Sequence, residues 1–266
     1  MYHHRGLKVV ISIKSPREIS LMKKAGEVVA NVFTVLEPLC VPGVSTLSLA
    51  KKAEAIIKKA GAIPTFLNYN GYPAAICISV NETLVHGIPS ERIILHEGDI
   101  VSLDVGATLN GYVADACRTF VVGIAKENAK RLVAVTKQCF FEGVKLIKPG
   151  VHLGDVSHAI QAYAESHGYS VPREFTGHGI GTHLHEDPNI PNYGKVGTGP
   201  ILEVGMCLAI EPMIAEGNNK VRILGDGWTA KMKDGKLSAH YENTLVVTSS
   251  GYEILTLTKE ELKEIK

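Results

Sequence analysis

The chain has 266 residues and a formal net charge of +1, with 45% hydrophobic and 21% charged residues. This length can bury the core of one large domain, and the near-zero charge argues against a dedicated nucleic-acid or membrane-surface binder. The five cysteines are scattered without a Cys-x-x-Cys pair, and no apolar stretch approaches the roughly 20 residues of a membrane span. We therefore expect a soluble, reduced, cytoplasmic monomer that binds neither DNA nor membranes.

The first half of the chain begins with two predicted helices joined by a Pro-Gly turn. Ser15 and Glu18 form a capping box at the start of a helical pattern over residues 16–36, with proline at the first helical position. The Pro-Gly turn opens a second helical pattern over residues 42–61. Extended sequence follows, and residues 99–122 are rich in strand-forming residues.

The second half repeats this order. A helical pattern over residues 128–147 precedes a Pro-Gly turn, a second helical pattern follows over 149–168, and residues 206–257 are rich in strand formers. The Pro-Gly turns and the closing glycines are each separated by 107 positions, from 42 to 149 and from 61 to 168. This constant distance favours an internal duplication.

A duplication predicts a single domain over residues 1–266, built from two related halves at about 14–125 and 126–257. Two α/β halves related by a pseudo-twofold axis would place their strands in one curved sheet with the helices outside. A groove between the halves would be the usual place for a functional site.

Four carboxylates lie within apolar, strand-like runs, where water-soluble proteins rarely place them. They are Asp104, Asp115, Glu211 and Glu242, and each half contributes two. A buried carboxylate without a partner is strongly destabilising, so the chain must supply counter-charges or bind a metal. Arg118 is the only basic residue close to these runs.

The first two carboxylates fall on a predicted hairpin. Asn-Gly at 110–111 is a strong signal for a two-residue turn. In that register Asp104 faces Cys117, and Asp115 lies two positions along on the same face of the sheet. Diagonal neighbours on one face are about 7–8 Å apart, so both side chains could reach one ion. The alternative is that Asp115 pairs with Arg118 or caps a turn.

Three further residues complete a candidate metal site. Glu211 precedes a proline, which favours extended backbone, and Glu242 leads into a β-branched strand, although a lone glutamate there would most often be exposed. His178 lies between glycines and offers a nitrogen ligand. Four carboxylates and one imidazole without thiolate favour a pair of hard divalent cations such as manganese, ferrous iron, cobalt or magnesium. Such a pair is equipped for amide hydrolysis.

Seven short motifs follow one another along the chain. They lie at residues 86–89, 99–106, 111–115, 177–181, 210–213, 226–228 and 238–244. In this order and spacing they resemble the methionine aminopeptidases of type I, and the resemblance covers residues from about 13 to 257. It implies the pita-bread fold: an α+β architecture of two pseudo-symmetric halves, with a curved antiparallel-rich sheet and outer helices.

The resemblance also implies the activity, which is removal of the N-terminal methionine from nascent polypeptides whose second residue is small. A hydroxide held by two divalent cations (manganese, ferrous iron or cobalt) would attack the peptide bond. Asp115 and Glu242 would bridge the metals, Asp104 would complete one, and His178 and Glu211 the other. Glu211 would also carry a proton from the water to the leaving amine.

Two histidines match the non-ligand histidines of this family. His185 would donate to the scissile carbonyl oxygen as charge develops there, and His86 would contact the scissile nitrogen. His183 lies two residues from His185, and composition does not choose between them; the resemblance selects His185.

The methionine side chain requires a close-fitting apolar pocket. The residues that match the wall of this pocket are Tyr69, Tyr72, Cys77 and Trp228. Two positions depart from the common bacterial pattern: Phe66 stands where a cysteine is often found, and Leu184 where a phenylalanine is common. These departures alter the expected shape of the pocket and leave the chemistry unchanged.

Other features of the sequence bear on partners and on the subclass. Asn81, Thr83 and Ser238 resemble positions that hold a monovalent cation in some members. The short spacing of 33 residues between the histidine and glutamate ligands, and the lack of a zinc-binding or proline-rich extension, favour the minimal bacterial form.

A basic loop carries three lysines, Lys231, Lys233 and Lys236. It is either a solvated face or a place of transient contact with the ribosome.

Two alternative functions remain. A proline-directed peptidase of the same fold would usually carry a separate domain ahead of the catalytic one, but only about 100 residues precede Asp104. A relative that binds peptides without catalysis would typically lack one or more metal ligands, whereas all five are present here.

Overall fold

The computed structural model describes residues 10–264. The helices in this part of the chain are α1 (Pro16–Leu36), α2 (Thr46–Lys59), α3 (Glu127–Val144), α4 (Leu153–Ser166) and α5 (Glu261–Glu264), with short 3₁₀ turns at Glu37–Leu39 and Tyr69–Gly71. None of the helices within residues 10–264 combines the length and apolarity needed to cross a membrane.

The strands are short except in one hairpin. They are β1 (Ile63–Pro64), β2 (Cys77–Val80), β3 (Thr83–Val85), β4 (Ile100–Leu109), β5 (Tyr112–Val121), β6 (Gly177–Gly179), β7 (Glu186–Ile190), β8 (Cys207–Ile210), β9 (Met213–Ala215), β10 (Val221–Ile223), β11 (Ala230–Met232), β12 (Ser238–His240), β13 (Glu242–Thr248) and β14 (Gly251–Ile254).

The first helix begins and ends where the sequence predicts. The Ser15 hydroxyl accepts from the backbone N–H of Glu18, and the Glu18 carboxylate accepts from the backbone N–H of Ser15 at 2.7 Å, which confirms the capping box. The helix predicted over 128–147 is shorter than expected and ends at Val144. Its last turn tightens because the N–H of Ile147 bonds to the carbonyl of Val144, three residues back.

One antiparallel sheet of nine strands organises the molecule. Its order is β1-β4-β5-β13-β8-β6-β7, with β2 paired to β4 and β14 paired to β13. The predicted hairpin is β4–β5, in which Asp104 pairs with Cys117 as expected. Two smaller sheets, β10-β11-β3 and β12-β9, complete the strand pairing.

The long helices cover one face of the large sheet. Phe33 and Leu36 of α1 pack in the same buried cluster as Leu103 of β4, and Phe140 of α3 packs in a second cluster with Leu245 of β13. Burial of large apolar side chains of this kind stabilises a fold by about 1.5–3 kcal/mol each. The opposite face of the sheet is therefore the one left to form a groove.

The two halves repeat several backbone hydrogen bonds at the distance of 107 positions. The N–H of Gly43 donates to the carbonyl of Leu95 at 2.8 Å, and the N–H of Gly150 donates to the carbonyl of Leu202 at 2.9 Å. Both glycines have a φ of 89°, which a residue with a Cβ rarely adopts. This repetition supports the expected duplication, and the exact division into halves stays a prediction.

Candidate active site

Five neighbouring strands of the large sheet carry the five predicted metal ligands. Their positions are Asp104 on β4, Asp115 on β5, Glu242 at the start of β13, Glu211 directly after β8, and His178 on β6. These strands are adjacent in the order β4-β5-β13-β8-β6, so the five side chains form a row across the sheet.

The strand register places all five on one face. Asp104 and Glu242 both pair with Cys117, from its two sides, and residues that pair across strands point to the same face. Asp115 lies two positions from Cys117 and shares its face because side chains alternate along a strand. His178 pairs with Ala209, two residues before Glu211.

The ligand atoms converge at the floor of a cavity. His178 Nε2 lies 3.7 Å from Glu211 Oε1 and 3.9 Å from Asp115 Oδ2. One ligand atom from each of Asp115, His178 and Glu242 lies within 4.8 Å of the other two. His178 Nδ1 donates to the carbonyl oxygen of Gly179 at 2.9 Å, which leaves the lone pair of Nε2 facing the carboxylates, as in metal-binding histidines.

Within residues 10–264, no lysine or arginine side chain lies among these carboxylates. Burial raises the pKa of Asp104 to about 7. Burial, followed by repulsion from neighbouring carboxylates, holds the pKa of Asp115, Glu211 and Glu242 well above the ordinary range.

Several of their oxygens are buried without a partner. Asp104 Oδ1, Asp115 Oδ1 and Glu242 Oε1 accept no hydrogen bond from the part of the chain that the structure describes. Divalent cations would satisfy these oxygens and balance the charge, so the donor set fits a metal site. The alternative in which Asp115 pairs with Arg118 is wrong, because Arg118 lies on the other face of the sheet and bonds to Glu261 at 2.6 Å.

The two predicted non-ligand histidines also line the cavity. His185 Nδ1 lies 2.7 Å from the hydroxyl of Tyr69, and its ring lies 4.4 Å from that of His178. The ring of His86 stands edge-on to Trp228 at 6.1 Å. Burial, helped by His185, lowers the pKa of His86 to about 4, so this imidazole is neutral at pH 7.

His183 lies outside the cavity. Its side chain is 81% exposed, and its backbone N–H donates to Glu186. The structure therefore brings His185, and not His183, to the row of carboxylates.

The cavity measures about 350 Å³ and has an apolar wall. The predicted pocket residues that line it are Phe66, Tyr69, Tyr72, Cys77, Leu184 and Trp228. Phe66 packs its ring against the backbone of Gly106, where a Cβ would clash with it at 2.6 Å. All six predicted residues therefore lie together, and their individual roles stay predictions.

Trp228 is positioned by a tight turn. The Asp226 carboxylate accepts from the backbone N–H groups of Trp228 and Thr229, each at 2.8 Å. This turn presents the indole to Tyr72, whose ring lies edge-on at 5.2 Å.

Sequence reasoning assigned no role to His240, although it lies within one of the motifs. Its buried Nε2 lies 3.6 Å from Glu211 Oε2 and 3.9 Å from Glu242 Oε2. This nitrogen has no hydrogen-bond partner among the described residues, and burial lowers the pKa of His240 to about 3. The available signal was the alternation of side chains, because residues two apart on extended chain share a face.

The residues predicted to surround a monovalent cation are partly in contact. The carbonyl oxygen of Asn81 accepts from the backbone N–H and the hydroxyl of Ser238, at 3.0 and 3.2 Å. Thr83 lies on β3 and pairs with Lys231 of β11. The basic loop is partly neutralised, because the Lys231 ammonium is bonded to the Glu82 carboxylate at 2.6 Å.

The fold and the site together define a class of protein. A curved antiparallel sheet with helices on one face and a row of carboxylates with an imidazole on the other is suited to a metal-dependent hydrolase. The model of metallopeptidase family M24 matches residues 20–249.

Known proteins narrow this class further. A methionine aminopeptidase of Clostridium acetobutylicum is 51% identical over 248 residues, which cover 93% of this chain and 99% of that protein. The crystal structure of methionine aminopeptidase from Thermotoga maritima matches with a TM-score of 0.92 and 48% identity, over 93% of this chain and 100% of that one. A prolidase from Pyrococcus furiosus matches at 25% identity and a TM-score of 0.75, and only 66% of its chain is covered.

The chain belongs to metallopeptidase family M24 and, within it, to the methionine aminopeptidases. The pita-bread fold predicted from the resemblance is confirmed, as is the class of metal-dependent hydrolase.

Proposed function

We propose that this chain hydrolyses the N-terminal methionine from nascent polypeptides whose second residue is small. The observation that carries the proposal is the row of four carboxylates and one imidazole at the floor of an apolar cavity. The assignment of an N-terminal methionine as the substrate is supported by the relatives, which are named methionine aminopeptidases. The enzyme would act in the cytoplasm, as a monomer, with transient contact to the ribosome through the basic loop.

Two divalent cations, manganese, ferrous iron or cobalt, would be held by the five ligands. Asp115 and Glu242 would be shared by both cations, Asp104 would bind one, and His178 and Glu211 the other. When bound, such cations lower the pKa of a water molecule and polarise a carbonyl group. A monovalent cation would lie near Asn81, Thr83 and Ser238.

Glu211 is suited to move the proton. Its carboxylate borders the cavity, and in the chain without bound cations burial, followed by the Asp104 and Asp115 charges, raises its pKa. It would accept a proton from the attacking water and deliver it to the leaving amine.

The two histidines would act on either side of the scissile bond. If the Tyr69 hydroxyl donates to His185 Nδ1, the ring proton resides on Nε2. That N–H would then stabilise the carbonyl oxygen as negative charge develops on it. His86, half-buried and neutral at pH 7, would hydrogen-bond the scissile nitrogen.

The six pocket residues would hold the methionine side chain. Aromatic edges and the sulfur of a thioether make favourable contacts, which Tyr72 and Trp228 can provide. Phe66 and Leu184, which also line the cavity and depart from the common pattern, would set the depth of the pocket.

A peptide panel tests this function. Metal-stripped protein would be incubated with manganese or ferrous iron and with Met-Ala-Ser, Met-Leu-Ser, Leu-Ala-Ser and Ala-Pro-Ser, and products would be read by mass. We expect cleavage of Met-Ala-Ser alone.

The two alternative functions give different products. Cleavage of Ala-Pro-Ser instead would identify a proline-directed peptidase. No cleavage of any peptide by protein with bound metal would identify a peptide-binding relative without catalysis.

A further inference from the structure

Arg118 lies on the face of the sheet opposite the metal ligands. It follows Cys117 on β5, and alternate residues of a strand point to opposite faces. Its guanidinium nevertheless reaches the strand that carries a ligand: Nη1 donates to the carbonyl oxygen of Glu242, and Nη2 donates to Asn243 Oδ1 at 2.7 Å. Arg118 therefore holds the first two residues of β13.

The other side of the guanidinium is bonded to the C-terminal part of the described chain. Nε donates to Glu261 Oε1 at 2.6 Å and Nη2 to Oε2 at 3.1 Å, in a bidentate pair. The same carboxylate accepts from the Tyr241 hydroxyl at 3.2 Å and from the backbone N–H of Thr258 at 2.8 Å. Glu261 is thus fixed by three neighbours.

This pair is enclosed by aromatic rings. The guanidinium carbon lies 4.4 Å from the centre of the Tyr241 ring and 5.1 Å from that of Phe33. Only 5% of the Arg118 side chain and 14% of the Glu261 side chain are exposed. Such a pair tolerates the loss of one partner poorly, since the other charge is then left buried.

We propose that Arg118 and Glu261 form a clasp that positions Glu242 and so sets the affinity of the site for its cations. The clasp fixes the backbone of Glu242 next to Asp115 and Glu211, and Glu261 neutralises a positive charge that would otherwise repel cations. This inference rests on the proposed function, because it takes Glu242 to be a ligand. It makes residues 256–264 part of the support of the metal site.

Titration calorimetry of metal-stripped protein with manganese, at 25 °C and without substrate, measures the effect of the clasp on metal affinity directly. Loss of a group that orients metal ligands lowers metal affinity by about 10- to 100-fold, and we expect about tenfold for Glu261→Gln. Glu264→Gln is the matched control, since Glu264 lies on the same short helix and pairs with Lys137 in an exposed position. We expect its affinity to stay within about twofold of that of the unchanged protein.

Arg118→Lys shows whether metal affinity depends on the hydrogen bonds that Arg118 makes or only on its positive charge. Lysine keeps the positive charge but cannot bond to Glu242, Asn243 and Glu261 together, so it should lower the affinity as well. If circular dichroism shows that Glu261→Gln is unfolded, the manganese affinity of Arg118→Lys tests the clasp in its place. Manganese electron paramagnetic resonance adds a second measure. The unchanged protein should give the spectrum of a coupled pair of ions, and Glu261→Gln and Arg118→Lys should give that of isolated ions.

Glu242→Gln distinguishes the two levels of the proposal. If it weakens manganese binding while Glu261→Gln and Arg118→Lys do not, the clasp is refuted and the ligand set stands. If Glu242→Gln itself leaves the affinity unchanged, the ligand assignment of the proposed function is refuted.

Discussion

Asp104 should destabilise the metal-free protein, and Asp104→Asn should relieve this. Burial raises the pKa of Asp104 from its ordinary value of 3.8 to about 7. At about 1.4 kcal/mol per pKa unit, ionised Asp104 lowers the free energy of unfolding by about 4 kcal/mol. Because Asp104 borders the cavity, solvent screening reduces this to about 2 kcal/mol, or about 4–8 °C in melting temperature.

The effect of Asp104 on the free energy of unfolding depends on pH. A raised pKa means that the folded chain holds the Asp104 proton more tightly than the unfolded chain does. The stabilising contribution of that proton is present below pH 4 and is lost as the pH rises through about 7. Asparagine does not titrate, so the gain from the substitution should be largest at pH 8 and less than half as large at pH 5.

Thermal unfolding of chelator-treated protein, followed by circular dichroism at pH 5 and pH 8, measures this gain. Asp234→Asn is a control of opposite sign: although burial alone would raise its pKa, backbone N–H groups of Asn218 and Lys236 lower the pKa of Asp234. Equal melting temperatures for Asp104→Asn and the unchanged protein at pH 8, or a gain independent of pH, would refute the reasoning.

Three other substitutions test the site. Glu242→Gln should abolish methionine release with little loss of fold, because shape is kept while a shared ligand is lost; full activity with two bound metals would contradict its bridging role. His185→Ala should lower kcat more than about tenfold with metal content unchanged, and a metal-free variant would instead make His185 a ligand. Phe66→Cys should enlarge the pocket and raise KM for Met-Ala-Ser more than it lowers kcat; an unchanged KM would place Phe66 outside the methionine contact.

The parts of the fold that depend on local signals were predictable from the sequence. The capping box fixed the start of α1, and the Asn-Gly turn fixed the register of the hairpin with Asp104 opposite Cys117. Both depend on residues close together in the chain, whose geometry follows from backbone preferences. The grouping of four carboxylates and one imidazole on one face of the sheet was also predictable, because carboxylates within apolar strands are rare and their motifs are ordered.

The remaining features depend on residues far apart in sequence. Arg118 was the only basic residue near the carboxylates, and the sequence did not reveal that its partner is Glu261, 143 positions away. The proximity of His240 to Glu211 likewise depends on how β12, which pairs with β9 in a separate sheet, leads into β13 of the large sheet. The Arg118–Glu261 contact has no local signal, and the two-residue spacing of His240 and Glu242 indicates a shared face but not the approach to Glu211, which the packing of distant elements sets.

Free methionine released from Met-Ala-Ser, measured while manganese is titrated into metal-stripped protein, tests the central claim most directly. The proposed function predicts no methionine before metal is added, a rise with each equivalent, and a plateau once the site is filled. Methionine release by the stripped protein, or its absence when calorimetry shows that two metals are bound, would contradict it.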